Sequence, residues 1–115
     1  MKSVNRSAVT IRPKQPYLDW ANSLPGPLTG VTLDQLRDDC PVYLVPQFPD
    51  NEKALAWVNQ RFDDFFTYEL WGWSTEEKDW PRKRTVKMFH EWFDVTIDSE
   101  VIDIGSGEIE VEEDT

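Results

Sequence analysis

The stretch that decides the fold runs from Asn51 to Leu70 and reads NEKALAWVNQRFDDFFTYEL. Four apolar residues followed by a glutamate recur along it every three or four residues, which is the spacing of one face of an α-helix. This row consists of Leu55, Val58, Phe62, Phe65 and Glu69. Asp50 or Asn51 can cap the first turn. The pattern predicts one helix over about residues 51–70, the strongest in the chain.

Weaker signals precede this helix. Residues 4–12 alternate loosely between apolar and polar side chains, which predicts a strand. Residues 16–21 begin with a proline and predict a short helix, and residues 24–27 are rich in proline and glycine, which predicts a break. Thr32 and Gln35 have the spacing of a capping box, so a second short helix is expected there.

The later segments complete the predicted order. The apolar run 42–45 lies between two prolines and predicts a buried strand. We expect a helix over about 82–93 and a strand over 95–104. This order predicts one two-layer α+β domain over residues 1–107, with a small, mostly antiparallel or mixed sheet of three or four strands covered on one face by helices. Residues 108–115 are interpreted as an acidic C-terminal tail or a weak edge strand.

Composition explains how so acidic a chain can fold. The 115 residues carry 12 Lys and Arg against 22 Asp and Glu, a net charge of -10, together with 6 Trp, 6 Phe and 3 Tyr. Disordered acidic chains are poor in aromatic residues, whereas these rings can form a core. The negative charge argues against direct nucleic-acid binding. Residues 1–14 hold no acid, so the acidity belongs to the body and the tail.

The sequence also predicts a compartment. Its longest apolar runs are only a few residues, so no membrane span is expected. The basic N-terminus is followed by no apolar core, which predicts the absence of a signal peptide. Cys40 is the single cysteine and allows no internal disulfide framework. A reduced, cytoplasmic protein is expected.

Catalytic and metal chemistry find little support in the sequence. His90 is the single histidine and is interpreted as a structural or surface residue; a catalytic role would need a partner such as Asp94, one turn on, or Cys40. One His and one Cys cannot make a typical structural zinc site. We therefore predict no catalytic, cofactor-binding or metal site, and a non-enzymatic role is favoured over an enzymatic one.

Residues 71–84 are the richest segment, with three indoles and a basic triplet. In one interpretation the indoles pack between helices and the cations line a helix start, where they oppose the helix dipole and call for an acidic partner. In the other, rings and cations form a binding surface, since Trp and Arg are enriched in interface hot spots. The candidate interaction surface consists of Arg12, Lys14, Trp73, Trp80, Arg82 and Arg84.

Four short segments follow one another along the chain. They are Arg12-Pro13-Lys14-Gln15-Pro16, Val45-Pro46 with Phe48, Trp80-Pro81 with Arg84, and Phe89 with Trp92-Phe93. In this order, and over residues 4–104, the chain resembles a family of small acidic bacterial proteins with no assigned function. The resemblance implies a bacterial, cytoplasmic setting and no particular reaction. Asp98-Ser99 stands where that family is expected to have His-Ser.

Three functional hypotheses follow. The leading one is a non-enzymatic protein-interaction or regulatory domain, acting as a monomer or homodimer on another protein. The first alternative is an acidic nucleic-acid mimic that binds a basic protein. The second is a small enzyme or ligand-binding protein with an aromatic pocket, which requires a concave site near His90, Glu69 or Arg84.

Overall fold

A computed structural model of the chain describes residues 1–26 and 30–113. The strands are β1 Lys2–Val4, β2 Arg6–Pro13, β3 Val42–Pro46, β4 Phe93–Asp98 and β5 Val101–Asp103. The helices are α1 Gln15–Ser23, α2 Leu33–Asp38, α3 Asn51–Gln60, α4 Phe62–Trp71 and α5 Val86–Trp92, with a short 3₁₀ helix at Glu77–Asp79.

The strands form two antiparallel sheets, which confirms the predicted α+β class. Strand β2 is the centre of a three-stranded sheet in the order β3-β2-β4, and β1 pairs with β5. Ala8 lies opposite Asp98 and Val4 opposite Val101, so the β1–β2 side carries one residue more than the β4–β5 side between the two sheets. Such an extra residue bends and twists a strand pair. At this irregular position, the strands predicted over residues 4–12 and 95–104 are each divided into two.

The core joins the inner face of the three-stranded sheet to the helices. Val9 and Ile11 of β2 are fully buried there. Against them lies a cluster of rings: the centroid of Phe66 is 5.4 Å from that of Phe93 and 6.0 Å from that of Phe89. Ring pairs at these distances add to the free energy gained by burial. The aromatic residues therefore stabilise the fold of this acidic chain, as its composition predicts.

The prediction of a fully buried strand over 42–45 is wrong. Val45 is 2% exposed, but Val42 and Leu44 are 59% and 53% exposed. Strand β3 pairs only with β2 and forms an edge of the sheet, so alternate side chains point to the core and to solvent. The continuous run of apolar residues predicted the strand correctly, but it did not predict that one face of the strand is exposed to solvent.

The predicted helix over 51–70 is divided in two. Arg61 leaves the helical region, with φ of -117° and ψ of 25°, and separates α3 from α4. Helix α3 packs on β4 with Ala54 and Val58 buried, whereas α4 packs on α5. Helix α4 buries Phe66 completely, a residue that was not part of the predicted row.

The helix predicted over 82–93 begins later, at Val86. Thr85 is its N-cap, and its side chain accepts a hydrogen bond from the amide of Met88. Lys83 has φ of 55°, a left-handed conformation that no helix start adopts. The basic triplet therefore precedes the helix and does not form its first turn.

The remaining sequence predictions concern helix caps, the proline-rich break, the tail and membrane spans. The capping box of Thr32 and Gln35 forms as expected, and the predicted helix over 16–21 lies within α1. Residue 27 of the predicted break and residues 114–115 of the tail lie outside the described residues. Residues 104–113 form no strand, so a terminal edge strand is not observed in the described part of the tail. None of the described helices has the length and apolar character of a membrane-spanning segment.

Candidate functional site

Three depressions meet along the exposed side of α4. The central one is lined by Asp64, Thr67, Tyr68, Trp71 and Trp80. One neighbour shares Tyr68 and deepens beside Glu69, and the other shares Thr67 and Trp80 and extends to Arg84. We call this continuous surface the α4 groove, and the depression beside Glu69 the Glu69 cavity.

The floor of the α4 groove carries two exposed rings. Tyr68 is 52% and Trp71 57% exposed. Helix α4 buries Phe65, Phe66 and the positions one turn later, so residues 68 and 71 fall on the opposite, solvent-facing side. Of the six tryptophans, Trp71 is exposed, whereas the other five are buried or half-buried. Apolar side chains exposed next to one another are candidates for an interaction surface.

Arg84 closes one end of the groove. Its guanidinium donates two hydrogen bonds to the Asp63 carboxylate, at 2.7 and 3.1 Å, and a third to the carbonyl oxygen of Pro81 at 2.8 Å. The hydrogen bond to Asp63 raises the pKa of Arg84. Asp63 is the acidic partner that the basic triplet was expected to have. The charge of Arg84 is consequently used within the domain.

The indoles of Trp73 and Trp80 form walls of the groove. Both are half-buried and pack against the core. Trp80 donates its Nε1–H to the carbonyl oxygen of Ser74 at 2.9 Å, and the guanidinium carbon of Arg84 lies 5.9 Å from its ring. These two indoles are therefore structural on one side and accessible on the other.

The Glu69 cavity has a volume of about 210 Å³. Glu69 itself is only 9% exposed. The hydroxyl of Tyr43 donates a hydrogen bond to Oε2 of Glu69, and that of Tyr17 donates to the Glu69 carbonyl oxygen at 2.5 Å. Burial raises the pKa of the Glu69 carboxyl, and the hydrogen bond from Tyr43 opposes the increase. A titratable group thus lies among rings in a concave site.

The cavity walls are mainly apolar. The lining includes the rings of Tyr17, Tyr68 and Trp73, the thiol-bearing Cys40, and the carboxylate-bearing Asp39. The Cys40 thiol donates to the carbonyl oxygen of Leu36 at 3.4 Å, and burial raises its pKa. A thiol in this state is a poor nucleophile, because the thiolate is the reactive form.

Three of the six residues predicted as an interaction surface lie together. Trp73, Trp80 and Arg84 line the α4 groove or its cavity. Arg12, Lys14 and Arg82 line none of its three depressions. Lys14 donates to the carbonyl oxygen of His90 at 2.9 Å and lies 3.7 Å from a carboxylate oxygen of Asp94. Arg12 is half-buried on β2 and Arg82 is exposed.

His90 is held in place away from the groove. Its Nε2 lies 2.7 Å from Oδ1 of Asn59, and burial, with a smaller contribution from Lys14, lowers its pKa. Asp94 pairs with Arg37 at 2.8 Å. A catalytic role for His90 was expected to need a partner such as Asp94. Among the described residues, no hydrogen bond or salt bridge joins His90 to Asp94. Within residues 1–26 and 30–113, no group of three or more His, Cys, Asp or Glu side chains is placed to hold a metal ion.

Sequence reasoning missed Tyr68, Trp71 and Cys40 as site residues. Tyr68 falls off the row of apolar side chains in the stretch 51–70, and this was the available signal that it faces outward. Trp71 follows that stretch and lies in the segment 71–84, but it was not included in the predicted surface. Glu69 lies on that row, so a carboxylate on the inward face was also visible. Cys40 was considered only as a possible partner of His90, and nothing in the loop before β3 indicated that it lines a cavity beside Glu69.

Comparison with protein-family models, with curated proteins and with solved structures finds no match to this chain.

Proposed function

We propose that this protein is a non-enzymatic interaction domain that receives a basic segment of a partner protein in the α4 groove. The observation that carries the proposal is the half-exposed pair of rings, Tyr68 and Trp71, which line one depression. Tyrosine and tryptophan dominate binding energy where they lie at the centre of an interface. The single cysteine supports a cytoplasmic setting.

Charge complementarity indicates the nature of the partner. The acids lining the three depressions are Asp39, Asp63, Asp64, Glu69 and Glu77. Among residues 1–26 and 30–113, Arg84 is the one cation that lines these depressions, and Asp63 already pairs with it. Lysine and arginine side chains of a partner can stack over the exposed rings and approach the free carboxylates. The net charge of -10 adds attraction at longer range.

The proposal differs from nucleic-acid mimicry in what holds the partner. A mimic binds through its carboxylates alone, whereas the α4 groove also uses rings. Removal of a ring at unchanged charge therefore discriminates between the two functions. Trp80 and Arg84 are unsuitable for this test, because both also contact the rest of the domain.

The experiment is a selection from a random peptide library displayed on phage, with the purified domain as target. We expect enrichment of peptides rich in Lys and Arg. Binding of a selected synthetic peptide, measured by calorimetry, is expected to weaken about tenfold in Tyr68→Ala and in Trp71→Ala, the loss typical of an interface ring.

Leu44→Ala is the matched control. Leu44 is 53% exposed, almost the same as Tyr68, but lies on the outer face of the sheet. Its substitution is expected to leave binding unchanged. Selection of acidic or neutral peptides would overturn the proposal, as would affinities unaffected by both ring variants. Salt-sensitive binding that survives ring removal would favour the mimic.

A second candidate function, ligand binding in an aromatic pocket, has one observation in its favour. A cavity lies beside Glu69, and burial raises the pKa of this carboxyl. Titratable groups shifted by burial in a concave site occur often in binding and catalytic sites.

A further inference from the structure

We propose that the Glu69 cavity is a pocket for one alkylammonium group, the end of a lysine side chain of the partner, which enters between aromatic walls and pairs with the Glu69 carboxylate. This inference rests on the proposed function, since it names the side chain that the end of the α4 groove selects.

The walls suit an organic cation. Tyr17, Tyr68 and Trp73 all line the cavity. Aromatic rings attract ammonium groups through their quadrupole, and cages of rings are a known means of recognising such ligands. No Lys or Arg side chain lines this cavity among the described residues. An anion would therefore find rings and carboxylates but no partner of opposite charge.

The carboxylate is placed to meet a cation. Tyr43 donates to Oε2 of Glu69, and among the described residues no hydrogen bond reaches Oε1. Among the described residues, every fully buried side-chain oxygen or nitrogen has a hydrogen-bond partner. Because Oε1 of Glu69 has no such partner, it is not fully buried and remains accessible to solvent. A carboxylate removed from bulk water gains more from an opposite charge than an exposed one does. Asp39 at the rim adds a second negative charge.

The cations nearest the cavity do not occupy this role. Arg37 donates to the carbonyl oxygen of Pro13 at 2.9 Å and pairs with Asp94 at 2.8 Å. Among residues 1–26 and 30–113, the salt bridges are made to Asp94 and Asp63, and none reaches the Glu69 carboxylate. The described part of the chain therefore leaves this carboxylate without a cationic partner.

The cavity, with a volume of about 210 Å³, has room for several water-sized groups, so the end of a lysine side chain can enter it. n-Butylammonium, with five heavy atoms, reproduces the last four carbons and the nitrogen of lysine. It is therefore the probe of choice.

The test is an NMR titration of the full chain with n-butylammonium chloride, following the indole N–H signals of its tryptophans. We expect saturable shifts of the Trp73 signal, assigned with Trp73→Phe, and none of Trp57, which lines none of the depressions of the α4 groove. 1-Butanol, the neutral analogue, and butyrate, the anionic one, are expected to bind at least tenfold more weakly.

Three variants separate loss of the binding site from loss of the fold. Glu69→Gln retains an acceptor for Tyr43 and should weaken n-butylammonium binding at least tenfold. Glu91→Gln makes the same charge change at an exposed residue of α5 that lines none of the three depressions, and it should leave n-butylammonium binding unchanged. Cys40→Met places a larger side chain in the cavity lining while keeping the Glu69 charge, and it should weaken n-butylammonium binding.

Equal binding of 1-butanol and n-butylammonium would overturn the inference, as would undiminished binding by a folded Glu69→Gln or Cys40→Met variant. The proposed function fails differently. If the cavity binds no ammonium, a peptide can still depend on Tyr68 and Trp71. If no basic peptide is selected, saturable n-butylammonium binding beside Trp73 still supports the cavity.

Discussion

The hydroxyl of Tyr43 on β3 donates a hydrogen bond to Oε2 of Glu69 on α4. This contact joins the edge strand of the sheet to the helix whose outer side carries the exposed rings. A carboxylate withdrawn from water needs donors, because its desolvation is unfavourable. Tyr43 therefore supports both the stability of the domain and the position of the Glu69 carboxylate.

Loss of this hydroxyl should destabilise the domain. Tyr43→Phe keeps the ring and its packing against Phe65 but leaves the buried carboxylate without its donor. We expect the free energy of unfolding to fall by about 1–3 kcal/mol, measured by urea denaturation at neutral pH. Tyr68→Phe removes a hydroxyl from an exposed ring and should change it by less than about 0.5 kcal/mol. Equal stability of the two variants would contradict this role of Tyr43.

The buried carboxylate should make stability depend on pH. Burial raises the pKa of Glu69 above its ordinary value of 4.5, so the folded state holds the proton more tightly than the unfolded chain. Ionisation of Glu69 then lowers stability as the pH rises from 4.5 through the raised pKa. Tyr17 and Tyr43 stay neutral there, because burial raises their pKa values too.

Glu69→Gln isolates this effect. The variant should gain stability relative to the native chain as the pH rises above 4.5, by at most about 1.4 kcal/mol per pH unit, until the difference levels off. Urea denaturation of both proteins at a series of pH values measures the difference. A difference that does not vary with pH would show that Glu69 titrates alike in the folded and unfolded states.

The ion pair at the other end of the groove should hold the loop before α5. Arg84→Lys cannot reproduce the two parallel hydrogen bonds to Asp63, so we expect a loss of about 1 kcal/mol, modest because the Asp63 side chain is 48% exposed. Arg82→Lys, in the same triplet but exposed, should have no measurable effect on stability. A double-mutant cycle with Asp63→Asn assigns the loss to the pair.

The ring cluster should dominate stability. Phe66 is fully buried among Phe89, Trp92 and Phe93, so Phe66→Ala leaves a cavity and should cost about 3–5 kcal/mol. Trp71→Ala deletes a larger but exposed ring of the neighbouring turn and should cost far less. Thermal denaturation of both variants provides the comparison, and similar losses would argue that Trp71 packs on the domain in solution.

Local patterns in the sequence account for most of the elements. Thr32 and Gln35 specify a cap through their own side chains, and the row containing Val58 and Phe65 marks an inward face. These signals act within one or two turns, so they survive without knowledge of the tertiary fold. The same reasoning predicted an acidic partner for the basic triplet, which is Asp63.

The site was harder to predict from the sequence, because it depends on which segments pack together in the tertiary fold. The break at Arg61 arises from packing of α3 on the sheet and α4 on α5, and no local signal required it. The Glu69 cavity joins α4 to the loop at Cys40, far away in the sequence. Lys14 was expected on an interaction surface, but it lies 3.7 Å from a carboxylate oxygen of Asp94. An acidic partner was expected for the basic triplet, but the sequence alone did not identify it as Asp63.

The topology of the central strand has a consequence for biosynthesis. Strand β2 lies between β3 and β4, yet it precedes every helix, and β4 ends only at Asp98. A ribosome must therefore synthesise the chain as far as β4, which ends at Asp98, before the second neighbour of β2 exists. Until then one edge of β2 lacks its partner and can associate with other chains. Such distant pairing also makes folding slow for a chain of this length.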